Sequence, residues 1–281
     1  MSYHAPTSLD DIWPLLADGS ARVVAGGTDL FPAQGDGPPP AALLDISRVR
    51  GLRGIERDGD GWRIGAATTW SDVITAPLPP VFDGLKAAAR EVGSVQIQNV
   101  GTVAGNLCNA SPAADGVPPL LTLEADVALS SQAGTRRMPL GDFLRGVRQT
   151  ALRPEEILTA LHIPAQPTGA RGSFAKLGAR RYLVISISMV AANVWLDDAR
   201  KIAGARVAVG ACSAVAQRLF ALEQSLIGLE AANVRTLEIP PSALAPLTPI
   251  DDVRGSATYR TLAVERLIKD TLCAALGPGD G

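Results

Sequence analysis

Residues 23–30 limit the fold more than any other stretch, because an apolar run, Val23-Val24-Ala25, stops abruptly at Gly26-Gly27-Thr28-Asp29-Leu30. Glycine admits positive φ and lets the main chain approach a ligand closely. Successive amide N–H groups in such a turn converge on an anion, and Thr28 adds a hydroxyl donor. Alone, the segment fits a tight turn equally well. A second segment of similar make-up, Gly101-Thr102-Val103-Ala104-Gly105-Asn106, is followed by Asn109, Ser111 and Asp115. Its polar side chains offer more directional hydrogen bonding than a simple connection requires. Two such loops suit a diphosphate; an ordered surface loop capped by Asx turns is the competing reading.

Other phosphate-binding and catalytic designs are missing. The sequence has no GxGxxG and no GxxxxGK[ST], so dinucleotide sites of the Rossmann type and P-loops lack their signatures. It has neither HExxH nor GxSxG. The three cysteines form no CxxC pair, and His4 and His162 lie far apart, so no metal site and no catalytic residue is expected on the chain. A net charge of -2 without a basic stripe argues against nucleic acid as a partner. No apolar run reaches the roughly 20 residues of a membrane span, and no leader-like segment opens the sequence, so a cytoplasmic location is expected.

At 281 residues, two or three packed units are expected. Residues 8–16 read as a helix capped by Ser8 and weakened by Pro14, residues 22–24 and 42–46 as strands, and 54–67 as a hairpin turning at 58–61. A helix is expected over 81–92, a loop over 101–115, an apolar turn at 118–123, strands over 126–131 and 136–140, and another over 156–163. Turn formers cluster at 165–172, the expected domain boundary. Beyond it, 183–196 and 202–212 read as an antiparallel hairpin, 217–228 and 259–276 as helices, and 277–281 as a tail.

Residues 25–30 together with 102–115, TVAGNLCNASPAAD, resemble the two flavin loops of the FAD-binding subunits of molybdenum hydroxylases, a family that includes the medium subunit of carbon monoxide dehydrogenase and the flavin domain of xanthine dehydrogenase. Ile64-Gly65-Ala66-Ala67, Pro154-Glu155-Glu156-Ile157-Leu158, Ile163-Pro164 and Ser173-Phe174-Ala175-Lys176-Leu177 continue the resemblance in order. It implies an α+β fold: a two-part PCMH-type FAD-binding domain over 1–165, with subdomains of about 1–52 and 53–165, then a C-terminal domain over 172–276 with a small antiparallel sheet and a helical bundle. It also implies that Ala25, Gly26, Gly27, Thr28, Asp29 and Leu30 hold one side of the FAD diphosphate and Thr102, Ala104, Gly105 and Asn106 the other, with Asn109 in the same motif. Asp115, Leu158 and Lys176 are implied near the flavin or its ribityl chain. From the residues alone, Asp115 is equally a turn cap, Leu158 a core residue and Lys176 a solvated strand residue.

The implied function is electron transfer in a heterotrimer, assembled as a dimer of heterotrimers. FAD on this chain would be reduced through 2Fe-2S clusters of a small subunit by a large molybdopterin subunit, and would pass electrons to an external acceptor. A free-standing flavoenzyme and a flavin-free structural subunit are the alternatives. The sequence departs from the family pattern at Ala104, where many members have glycine, at Gln98, often basic, and at Ile185, where some members place an aromatic over the flavin.

Overall fold

The computed structural model describes residues 1–17 and 19–277. The expected tail therefore lies outside the described residues except for Gly277. The fold mixes helix and strand, and the chain divides into two compact units that do not follow chain order.

The first unit comprises Met1–Ala76, Ser94–Ala110 and Ala125–Pro164. Strands β1 (Ser2–His4), β2 (Ala21–Val24) and β3 (Ala42–Asp45) form a parallel sheet in the order β1-β3-β2. Strands β4 (Ile55–Asp58), β5 (Gly61–Gly65), β6 (Asp126–Ser131) and β7 (Gly134–Pro139) belong to a larger antiparallel sheet. The short ribbon β8 (Leu144–Gly146) and β9 (Gln149–Thr150) follows, and β10 (Ile157–Ile163) then enters the centre of that sheet, giving β4-β5-β10-β6-β7. Ile12, Leu16, Leu44, Ile46, Leu52 and Ile157 form one buried cluster of this unit.

The second unit comprises Pro77–Gly93, Ser111–Glu124 and the chain from Ala165 onward. Its antiparallel sheet runs β11 (Arg171–Leu177), β12 (Ser188–Leu196), β13 (Ile202–Gly210) and β14 (Gln217–Arg218). Strand β12 is buried continuously from Ser188 to Val194 because both its faces are covered. Val190, Ala192 and Val194 pack with Val264, Ile268 and Leu272 of the helix Ala257–Leu276. On the other face the Asn193 amide donates to the Thr122 carbonyl at 3.1 Å, at the end of the helix Val117–Thr122.

Several local expectations are corrected. Residues 118–123 are not an apolar turn; Val117–Thr122 is a helix with prolines in its first turn, where no N–H donor is required. Residues 103–109 of the expected loop form the helix Val103–Asn109. The strand expected from 183 begins only at Ser188, after a loop closed by the Ile187 N–H donating to the Leu177 carbonyl at 2.8 Å. Gln217–Arg218 is strand, and the helix expected from 217 is Phe220–Leu226. Ser8 accepts from the Asp11 N–H at 3.4 Å but caps only a turn, and the helix Trp13–Leu16 has Pro14 at its start.

Candidate functional site

The first glycine segment leaves β2 at Val24 and turns before the helix Leu30–Gln34. Gly27 takes φ +67, in the left-handed region that disfavours side chains. Gly26 has no positive φ, and its requirement is space: a Cβ there would collide with the Val100 carbonyl and come within 2.9 Å of the Gly101 nitrogen. Among the described residues, the backbone N–H groups of Gly26, Gly27, Thr28 and Asp29 meet no acceptor. Gly26, Gly27 and Thr28 are half-buried and Asp29 is exposed, so these donors are open to water or to the oxygens of a ligand. Thr28 directs its hydroxyl toward Gly101, with Oγ1 3.5 Å from the position of a Cβ there. The two glycine motifs, 75 residues apart between Gly26 and Gly101, are thus brought side by side within one unit.

In the second motif Thr102 is an N-cap, its Oγ1 accepting from the Gly105 N–H at 3.0 Å. Gly105 is exposed and helical, and a Cβ would come within 2.8 Å of that capping hydroxyl. Ala104 is buried and helical, without positive φ, so its methyl group adds no backbone strain. The Asn106 Oδ1 is buried with no partner among the described residues, an acceptor that calls for a donor from elsewhere. Asn109 is engaged internally: Arg148 Nη1 donates to its Oδ1 and, at 3.1 Å, to its carbonyl. The helix ends at Ala110 with φ +45.

Leu158 is 3% exposed and sits opposite Leu129 across β10 and β6, so its side chain belongs to the core of the first unit. Asp115 and Lys176 lie in the second unit. Lys176 Nζ donates to Asp115 Oδ2 at 2.7 Å, with the two side chains only 6% and 8% exposed. Ser186 Oγ donates to the other carboxylate oxygen at 2.6 Å. Asp115 is therefore a buried ion-pair member rather than a turn cap, and Lys176 is not a solvated strand residue. Burial pushes the Asp115 carboxyl above its ordinary range, while the Lys176 ammonium and the Ser186 hydroxyl act in the opposite sense. Ser186 was not singled out in the sequence, where its only signal is a small hydroxyl residue interrupting an apolar run. Arg148 was missed too, since a single basic residue on a turn carries no pattern. Ile185 is half exposed in the loop before β12.

No group of metal-ligating side chains occurs among the described residues, and no helix among them is long and apolar enough to cross a membrane. The unpaired amides, the space kept at Gly26 and the orphaned Asn106 acceptor fit a ligand with both phosphate oxygens and hydroxyl donors, as FAD has.

Comparison with known proteins bears on the same regions. Residues 1–166 match the family described as the FAD binding domain in molybdopterin dehydrogenase, and residues 173–275 match the CO dehydrogenase flavoprotein C-terminal domain. The chain is 33% identical to the xanthine dehydrogenase FAD-binding subunit of Escherichia coli O157:H7, with 100% of this chain and 97% of that protein covered. It is 31% identical to the nicotine 6-hydroxylase medium subunit of Paenarthrobacter nicotinovorans, covering 97% and 96%. Among solved structures, a Cu,Mo-CO dehydrogenase chain in a cyanide-inactivated form superposes with a TM-score of 0.89 at 27% identity, covering 98% of both chains.

Proposed function

The chain belongs to the family of FAD-binding flavoproteins of the molybdopterin dehydrogenases, and from this premise we propose that it is the electron-transfer subunit of a molybdenum hydroxylase complex. The observation that carries the reading is the run of four consecutive backbone N–H groups, Gly26 to Asp29, without an acceptor among the described residues. When bound, FAD supplies the two-electron redox chemistry that this chain's side chains lack. The protein's part is to bind and orient. Ala25 to Leu30 hold one side of the diphosphate, with Thr28 adding a hydroxyl, and Thr102, Ala104, Gly105 and Asn106 hold the other. Asn106 Oδ1 accepts from a ligand hydroxyl, while Asn109, through Arg148, fixes the end of the second motif. Asp115, Lys176 and Leu158 are assigned to the flavin end on the family resemblance.

Electrons reach this chain from 2Fe-2S clusters of a small partner subunit, reduced in turn by a large molybdopterin subunit, in a cytoplasmic dimer of heterotrimers. Neither histidine lies in a flavin motif, and apart from Asp115 and Lys176 the motif regions offer little acid–base machinery. The test is reduction by substrate. Purified alone, the chain should bind FAD and remain oxidised in the presence of N-heterocycles or aldehydes, and co-purified with large and small subunits its flavin should be bleached by a substrate of the complex. Bleaching of the isolated chain would contradict the proposal.

A further inference from the structure

Phe31 is 59% exposed, although it stands next to the most constrained turn of the chain. Its N–H donates to the Gly27 carbonyl at 3.2 Å, which places it one turn beyond that glycine. The ring leans on Gly27, with Cε2 and Cδ2 at 2.5 and 2.7 Å from where a Cβ would stand. An aromatic ring left open to solvent forfeits burial of a large apolar surface. Here one of its edges is fixed against the backbone whose N–H groups meet no acceptor among the described residues, and Pro32 and Ala33 beside it are exposed as well.

We propose that Phe31 is the stacking platform for the adenine of the bound FAD; the inference rests on the diphosphate assignment of Gly26 to Asp29. Of the two ring systems in FAD, adenine is separated from the diphosphate by a single ribose. The isoalloxazine hangs from a five-carbon ribityl chain. A ring in van der Waals contact with the diphosphate loop is therefore placed for the nearer base, and a phenyl face takes a purine by sequence-tolerant stacking. Gly27 serves both features: its positive φ forms the turn, and its missing side chain admits the Phe31 ring.

The test uses the full chain stripped of flavin, with FAD, ADP and FMN titrated calorimetrically into wild type, Phe31→Ala and Phe31→Trp. Phe31→Ala should weaken FAD and ADP by the same factor, roughly 5–150-fold, and leave FMN unaffected; Phe31→Trp should restore both. The ring is exposed, so the melting temperature should be unchanged in either variant. Wild-type ADP and FAD affinities in Phe31→Ala would overturn the platform while leaving FAD binding intact. A selective loss of FMN affinity would overturn it in favour of the isoalloxazine, and a wild-type chain that binds neither FAD nor ADP would overturn the diphosphate assignment as well.

Discussion

Replacing Lys176 by Met removes the cation from a buried ion pair of the second unit. The two side chains are 6% and 8% exposed and meet at 2.7 Å. After the substitution the Asp115 carboxylate keeps the Ser186 donor at 2.6 Å but no positive charge. Leaving one member of a buried pair uncompensated costs about 3–5 kcal/mol. Asp115→Asn strands the ammonium instead, at a similar cost. The double variant, Asp115→Asn with Lys176→Met, buries no charge and keeps an amide carbonyl to accept from Ser186. Its destabilisation should therefore fall short of the sum of the single variants by on the order of 2–3 kcal/mol. Urea unfolding of all four proteins measures this, provided the slopes agree so that midpoints report stability. Additivity within about 0.5 kcal/mol would refute the reasoning, because it would mean that the two groups are solvated independently.

Gly26→Ala should abolish flavin retention, since its Cβ would occupy the place of the Val100 carbonyl; the ratio of visible to ultraviolet absorbance of the purified protein reports it. Thr102→Ala removes the acceptor for the Gly105 N–H and should destabilise the first unit by about 1 kcal/mol, read as a lower urea midpoint. Arg136 holds the Glu156 carboxyl below its ordinary 4.5. This contribution is complete above that value and lost as pH falls through the lowered one, so Glu156→Gln should flatten the acid limb of a stability-against-pH curve.

The elements most legible in the sequence were those whose pattern is local and whose environment is uniform. The hairpin of β4 and β5 announces itself through Asp58-Gly59-Asp60-Gly61, and β12 through an apolar run over 189–196 that only Asn193 interrupts and that two covered faces demand. The helix Val103–Asn109 was hidden because it is only seven residues long and contains Gly105 and two asparagines, which are poor helix formers; its cap, Thr102, looks like any loop threonine. Nor does a local pattern say which sheet a helix will cover. Asp83–Glu91 was legible as a helix, yet its place beside β11, where a Cβ on Gly84 would meet the Ser173 carbonyl at 2.8 Å, depends on contacts about 90 residues away in sequence. The pairing of Asp115 with Lys176 spans 61 residues and is likewise invisible to periodicity. The glycine motifs themselves were readable, but their reasons differ: Gly27 for its conformation, Gly26 for the neighbouring backbone.

The loops of the first unit are proposed to hold a dinucleotide flavin. Denaturing the purified full chain and identifying the released chromophore by chromatography tests it directly. FAD is expected at one molecule per chain. Release of FMN, or no flavin bound after reconstitution with excess FAD, would contradict it.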